Sequence, residues 1–326
     1  MPDFQRQNRI PMPRPRPTDI GRRPGPGAGQ TGGRGNDANV QQMQTQGRLP
    51  GQGSTPGTGT AGVVIDELML DAAVTALLAV VPESLRTNAE SHLPGIVQQC
   101  AWDRVTNHNQ VAYILATTEH ESKYGTPAFS WSEPLVEDHN QYSQDRRGRW
   151  TSRNHLTDNR VRGDTEQELD EEYWDDSYGG RLGNRRGTAD AANYRGRGYV
   201  QITGRENYER MSGLLQDEGF TYNLDGQTWG TAQNPIDLLA NPTHVNRSTA
   251  LAAKLLVLGM TEGSYTGKSM DDYINEDETD FTNARRVVNG DVEENGASIA
   301  TIARRYAAPI ATIWAQVFMP QAPAQT

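Results

Sequence analysis

This sequence contains almost no cysteine and no long apolar run. Its 326 residues include one cysteine, Cys100, so no disulfide can form within the chain, and its apolar neighbours predict an inert thiol in the core. No run of 18 or more apolar residues is present, so no membrane-spanning helix is predicted. The arginine-containing N-terminus has no apolar segment behind it, which argues against a Sec signal peptide. We therefore expect the protein either to act without export by that route or to reach its substrate by other means.

Large apolar side chains are nearly absent from residues 1–62. This segment holds 13 of the 33 glycines and 9 of the 18 prolines, and its eight arginines face three acidic residues. Such a composition cannot bury enough apolar surface to offset chain entropy, so a disordered tail is predicted. The tail is interpreted as a flexible tether, or as a segment that docks through its arginines on a partner or an anionic surface.

The remainder of the chain is strongly acidic, because the whole sequence carries a net charge of −10 despite its basic tail. An acidic body argues against nucleic acid as the main ligand. A zinc-protease HExxH motif would need a histidine where Tyr124 stands, and no other His/Cys cluster has metal-ligand spacing. The glycine-rich GRGYVQITG stretch lacks the Lys-Ser/Thr of a phosphate-binding loop. We expect neither a metal nor a cofactor.

Helical patterns dominate from residue 63 onward. Residues 63–95 predict a helical lead-in, with a first helix closed by Pro82 and a break at Pro94-Gly95. A polar, irregular segment is predicted at 139–190, with a short helix from Gln167 to Trp174. Further helices are predicted from Val245 to Leu258, as core, and from Ser298 to Phe318, with 321–326 frayed. The fold class is therefore mainly α with short strands, an α-rich body of two lobes separated by a cleft.

Residues 111–138 place carboxylates near the end of a predicted helix. Asn107 or Asn109 can cap this helix, whose apolar positions recur at helical spacing: Val111, Ile114, Leu115 and Thr118. Glu121 continues the apolar stripe and is predicted to point inward, where partial desolvation suits a general acid. Gly125 and Pro127 are expected to end the helix. The loop beyond carries the further acids Glu133, Glu137 and Asp138, and a pair of carboxylates in different surroundings is what glycoside hydrolysis requires.

Residues 193–211 form a second dense stretch, NYRGRGYVQITGRENYERM. Gly196 and Gly198 permit close approach of the backbone, and residues 199–203 alternate like a short strand that leads into a helix at Glu206. One face of that strand would present Tyr199, Gln201 and Thr203 to a sugar.

Four segments, in this order, resemble family 19 glycoside hydrolases, the family of plant chitinases and many phage endolysins, which has a lysozyme-like fold. They are AYILATTEHES, LVEDHNQYS at 135–143, YRGRGYVQITGRENY at 194–208 and ARRVVNG. The third is the most specific and is close to the family signature throughout. The resemblance covers residues from about 95 to 310 of a catalytic domain assigned to 63–320, and it leaves out the tail.

The resemblance implies roles for individual residues. Glu121 matches the general acid and Glu137 the general base of an inverting mechanism, in which the two carboxyls lie roughly 6.5–9.5 Å apart and leave room for a water. Glu133 remains a rival base, because the separation between Glu121 and Glu137 is wider than in short phage members. The residues implied to bind sugar or to support the catalytic network are Tyr194, Gln201, Thr203, Asn207 and Asn289. His120 is interpreted as a buried histidine that shapes the pocket, with catalysis as the alternative.

Two further observations concern the substrate. Plant members orient the acid with a late arginine, and alignment on Arg305-Tyr306 places no arginine there, so that role is not transferred. Three arginines are candidates to meet the carboxylates of peptidoglycan, a charge that chitin lacks: Arg185, Arg186 and Arg195. Four aromatic residues are candidates to stack on sugar rings, with core packing as the alternative: Trp131, Tyr142, Trp150 and Tyr194.

The sequence thus predicts a peptidoglycan hydrolase, an endolysin or virion-associated lysin that cuts β-1,4 bonds between amino sugars. The enzymatic alternative is a chitinase that acts on N-acetylglucosamine polymers. The alternative of another class is a structural, glycan-binding virion component without catalysis. The expected location is the host cytoplasm until lysis, or the virion, with action on the bacterial cell wall.

Overall fold

The computed structural model describes residues 63–124, 143–154, 157 and 159–318. The disorder predicted for 1–62 and the fraying predicted for 321–326 concern residues outside this part of the chain. Within it the protein is mainly helical, as the sequence predicts, with nine α-helices: α1 Glu67–Leu78, α2 Arg86–Trp102, α3 His108–Ser122, α4 Glu166–Tyr178, α5 Asp190–Asn193, α6 Arg205–Asp217, α7 His244–Arg247, α8 Thr249–Thr261 and α9 Ala297–Val317. Shorter helical turns lie at Glu83–Leu85, Met270–Asp272, Asn283–Val287 and Val292–Gly296. None of the described helices combines the length and the apolar character that a membrane crossing requires.

Two small antiparallel sheets complete the structure. The first joins three strands in the order β1-β2-β3, at Ser143–Gln144, Trp150–Arg153 and Arg160–Gly163. The second is a hairpin of β4 Tyr222–Leu224 and β5 Gln227–Trp229. The three-stranded sheet lies inside the segment predicted to be irregular, so that prediction was wrong except for its helix, which α4 confirms and extends.

The buried apolar side chains form two cores. The larger is built by α1, α2, α3, α6, α8 and α9, and the packing of α3 on α9 is its most extensive helix contact. The smaller lies where β3 meets α4 and α5, and its buried members are Val161, Leu169, Tyr173, Trp174, Ala191 and Ala192. The predicted core helix before residue 258 is confirmed, although it begins at Thr249, after the short helix α7.

Proline did not break α2 at Pro94-Gly95 as the sequence predicted. Helix α2 runs without interruption through Pro94, and α9 contains Pro309. A proline inside a helix costs about 3 kcal/mol because a hydrogen bond is lost and its ring crowds the preceding turn. In α2 this cost is opposed by full burial on both sides of the proline, by Leu93, Ile96 and Val97.

The segment 199–203, predicted as a strand, is a tight turn. Arg197 and Ile202 pair through two backbone hydrogen bonds of 3.2 and 2.8 Å, and the chain reverses between them. Gly198 and Gln201 both have positive φ, at 74° and 54°, which is incompatible with extended structure. Tyr199 is therefore turned into the core, where its hydroxyl lies 2.8 Å from Nδ1 of His92. It does not face a sugar site, whereas the predicted helix that follows is confirmed as α6.

Candidate active site at the end of helix α3

Helix α3 carries the candidate acid on its last turn. Asn107, one of the two residues predicted as its cap, accepts a hydrogen bond of 2.9 Å from Asn109 N at the start of the helix. Every residue from Gln110 to Glu119 is buried, because this helix is enclosed by its neighbours rather than lying on the surface. Glu121 is less buried, with 18% of its side chain exposed. A carboxyl at this position is partly shielded from water and remains accessible to a ligand.

The helix ends earlier, and by a different device, than the sequence suggested. It stops at Ser122, where Lys123 and Tyr124 both adopt the left-handed conformation with φ of 49° and 56°. The predicted breakers Gly125 and Pro127 lie outside the described residues. Positive φ is costly for a bulky side chain such as tyrosine, so this exit from the helix requires support from its surroundings.

Glu121 is held by an arginine distant in sequence. Arg285, from the turn Asn283–Val287, donates a hydrogen bond to Glu121 Oε1 and two more, of 2.6 and 3.1 Å, to the carboxylate of Asp291. Asn295 donates a further hydrogen bond of 2.7 Å to Oδ2 of Asp291. We call Glu121, Arg285, Asp291 and Asn295 the Glu121 cluster. One arginine, only 3% exposed, thus binds two carboxylates.

Arg285 and Asp291 of the Glu121 cluster both stay charged, although burial opposes the charge of each. Burial disfavours the charge of Arg285, but the adjacent Glu121 and Asp291 outweigh this and raise its pKa, so it stays charged. Burial also opposes ionisation of Asp291, yet the hydrogen bonds and charge of Arg285 lower the pKa of Asp291 overall. Asp291 therefore keeps its charge, and Glu121 is the more exposed of the two carboxylates on this arginine, with 18% of its side chain exposed against 9% for Asp291.

His120, interpreted from the sequence as a buried residue that shapes the pocket, is less buried than expected. It is half-buried beside Glu121, and burial lowers its pKa, so it is neutral at pH 7. Its carbonyl oxygen accepts a hydrogen bond of 2.9 Å from Lys123 Nζ, which satisfies one backbone acceptor at the end of α3.

Sequence reasoning missed the role of Arg285. The search for an orienting arginine aligned on Arg305-Tyr306 and transferred none, while the segment ARRVVNG was matched for Asn289 alone. In the structure the first arginine of that segment contacts Glu121. The asparagine lies close by: its backbone N–H donates to Arg285 O at 2.9 Å, and its side-chain oxygen accepts from Gly290 N at 2.7 Å.

The residues implied to line sugar subsites form a separate hydrogen-bonded group. Gln201 donates to Gly198 O at 3.0 Å, Thr203 donates to Gln201 O at 2.9 Å, and Asn207 donates to Thr203 O at 2.8 Å. All three side chains are half-buried. A Cβ on Gly196 would lie 2.9 Å from Gln201 Oε1 and 3.3 Å from Thr203 Oγ1, so a larger residue there would require these two side chains to shift.

The aromatic and basic candidates are largely engaged within the protein. Tyr194 is 8% exposed, packs against Tyr208 and donates to Leu239 O at 3.2 Å, while Trp150 packs against the smaller core. Arg185 is paired with Asp190, Arg186 donates to Gly179 O and Arg195 is paired with Asp170. These internal contacts occupy the three guanidinium groups that were predicted to meet carboxylates of the cell wall. Four of the predicted residues lie outside the described part of the chain: Trp131, Glu133, Glu137 and Tyr142.

The last turn of α3 carries a second carboxylate, Glu119, for which the sequence predicted no role. Glu119, 5% exposed, accepts hydrogen bonds from Arg305, at 2.5 Å to Oε1, and from the hydroxyl of Tyr306. Tyr124 donates to the Tyr306 hydroxyl at 2.7 Å. We call Glu119, Tyr124, Arg305 and Tyr306 the Glu119 cluster. Its only sequence signal was the unusual charge at an otherwise apolar position.

Among the described residues, no group of three or more His, Cys, Asp or Glu side chains is arranged to hold a metal ion. No protein-family model matches the chain, and no curated protein matches it either.

Proposed function

We propose that the protein is a glycoside hydrolase that cleaves β-1,4 bonds between amino sugars, with bacterial peptidoglycan as its substrate. The observation that carries the proposal is the partly exposed Glu121 carboxyl at the end of α3, held in place by a buried arginine. The segment resemblance to family 19 glycoside hydrolases supports it, because Glu121 is the residue that matches the general acid there.

In the proposed mechanism Glu121 gives a proton to the glycosidic oxygen as the bond breaks. Arg285, which is itself held by Asp291, fixes the Glu121 carboxyl in one orientation. A carboxylate on the segment after α3, Glu137 or its rival Glu133, activates the attacking water on the opposite face of the sugar. Gln201, Thr203 and Asn207 contribute hydrogen bonds to the sugars.

The test uses the whole 326-residue chain with purified peptidoglycan and with chitin oligomers, and it measures the release of reducing sugar. We expect the parent to cut peptidoglycan and Glu121→Gln to lower kcat by about a hundredfold or more, because a general acid contributes that much or more. Glu137→Gln and Glu133→Gln identify the base, since only one of them should cause a comparable loss.

The matched control is Glu90→Gln, which changes an exposed carboxyl on α2 in the same way and should retain full activity. Circular dichroism checks that each variant is folded. A parent that cuts chitin oligomers and not peptidoglycan would correct the substrate, and a parent that cuts neither would overturn the proposed function.

A further inference from the structure

Glu121 lies in a short segment that is anchored on both sides. Two residues before it, Glu119 binds Arg305 and Tyr306 of α9; three residues after it, the hydroxyl of Tyr124 binds Tyr306. One residue of α9, Tyr306, therefore ties both ends of the segment. Tyr306 and Tyr124 are both 0% exposed, so these hydrogen bonds are shielded from water.

The segment needs such anchoring because it contains backbone strain. Two consecutive residues other than glycine, Lys123 and Tyr124, have positive φ. Each costs of the order of 1–2 kcal/mol, and such residues persist only where the surrounding structure enforces them. The backbone conformation of Tyr124 is held by the hydrogen bond from its hydroxyl to Tyr306, by a longer one of 3.4 Å to Leu115 O, and by complete burial of the side chain.

The charge of Glu119 makes the anchor strong. Burial opposes the charge of Arg305, but its hydrogen bond to Glu119 raises the pKa of Arg305 overall. A guanidinium and a tyrosine hydroxyl both donate to one buried carboxylate, which is a stronger arrangement than hydrogen bonds between neutral groups. The ring of Tyr306 also lies beneath Arg305, with 5.2 Å from the guanidinium carbon to the ring centroid.

We propose that Glu119 is a positioning residue for Glu121 and acts through Arg305, Tyr306 and Tyr124. The Glu119 cluster holds the last turn of α3 against α9, so that the Glu121 carboxyl stays where Arg285 and a bound substrate meet it. Catalytic geometry tolerates errors of only about 0.5 Å, and helix ends fray unless they are held. This inference rests on the proposed hydrolase function.

The experiment compares Glu119→Gln with the parent, each as the whole 326-residue chain. Glutamine keeps the shape of the side chain and removes the charge that binds Arg305. We expect kcat to fall at least tenfold with KM changed less than twofold, and the backbone amides of 120–124 to exchange with solvent at least tenfold faster. Tyr124→Phe, which removes one hydroxyl and no charge, should change both quantities in the same direction by less.

The matched control is Lys254→Met, which breaks a buried ion pair elsewhere. Lys254 of α8 binds Asp103 and Glu218, which follow the ends of α2 and α6. Lys254→Met should lower the melting temperature while kcat per folded molecule and exchange at 120–124 stay at parental values.

Activity and exchange separate the two proposals. If the parent is inactive, the hydrolase function fails, and hydrogen exchange alone decides: unchanged exchange at 120–124 in Glu119→Gln overturns the anchoring role, and faster exchange there supports it. If the parent is active, a normal kcat in folded Glu119→Gln overturns the positioning role even where stability is lost.

Discussion

Glu119 and Glu121 lie two residues apart on the last turn of α3 and have opposite surroundings. Two residues correspond to about 200° around a helix, so the side chains leave on different faces. Glu119 faces α9 and, among the residues that the structure describes, shares its arginine with no other acid. Glu121, in contrast, is partly exposed and shares Arg285 with Asp291. The comparison teaches that burial and pairing, rather than position on a helix, separate a carboxylate that holds structure from one that is available for chemistry.

The largest expected effect comes from removing each arginine in turn. Arg285→Met leaves Asp291 buried without its cation, and losing one partner of a buried pair costs about 3–5 kcal/mol. Arg305→Met leaves Glu119 with Tyr306 as donor, and a third of the Arg305 side chain is already exposed, so we expect about 1–2 kcal/mol. Urea unfolding of both variants measures the difference.

Arg286→Met is the matched control for this comparison. Arg286 follows Arg285 on the same turn and is exposed, so its loss should change the free energy of unfolding by less than about 0.5 kcal/mol. Equal losses for Arg285→Met and Arg305→Met would show that the two clusters do not differ as described.

Two histidines make the stability of the folded protein depend on pH, one in contact with the core and one beside Glu121. Burial lowers the pKa of His92 to about 4, and it also lowers the pKa of His120, beside Glu121. Both are neutral in the folded protein, so as the pH falls below 6.5 the unfolded chain binds protons that the folded chain does not, and stability is lost. For His92 this window extends down to about pH 4 and amounts to about 2 kcal/mol at pH 5.

The measurement is urea unfolding at pH 7.5 and pH 5.0. We expect His92→Gln and His120→Gln each to lose less stability than the parent between these values. If His120→Gln alone removes most of the acid sensitivity, the weak region is the Glu121 end of α3; if its loss equals that of the parent, His120 is not buried as described.

Features set by local sequence were predictable, and contacts between distant segments were not. The start of α3 followed from Asn107 and the apolar spacing, and α4, α8 and α9 followed from their composition. The pairing of Arg285 with Glu121 joins residues 164 positions apart. Nothing in the local pattern of either segment specifies that contact, so only the folded chain reveals which arginine serves which carboxylate.

Other errors came from backbone conformation. The alternation at 199–203 favoured a strand, and positive φ at Gly198 and Gln201 reversed the chain instead. The opposite case is the hairpin of β4 and β5, which the sequence reasoning overlooked. Its turn residues Asp225 and Gly226 both have positive φ, as an Asp-Gly pair in a two-residue hairpin turn requires, so that signal was present in the sequence.

The smallest expected effects concern two buried tyrosines, one in the Glu119 cluster and one on the Glu121 side of α3. Tyr306 belongs to the Glu119 cluster, where its hydroxyl donates to Glu119 and accepts from Tyr124. Tyr113 of α3 is 0% exposed, stacks on Phe281 and lies within range of the charges of Arg285 and Glu121, yet within the described residues its hydroxyl has no hydrogen-bond partner.

Replacing each tyrosine by phenylalanine removes one hydroxyl and preserves the ring. Tyr306→Phe should cost about 1–2 kcal/mol, because it removes two hydrogen bonds at a buried carboxylate. Tyr113→Phe should leave stability unchanged or raise it by up to about 1 kcal/mol, because no hydrogen bond is lost and a buried polar group is removed. Thermal unfolding of the two variants side by side decides the matter. A loss above 1 kcal/mol for Tyr113→Phe would mean that this hydroxyl is bound in solution, and the Glu121 side of α3 would then be as fully hydrogen-bonded as the Glu119 side.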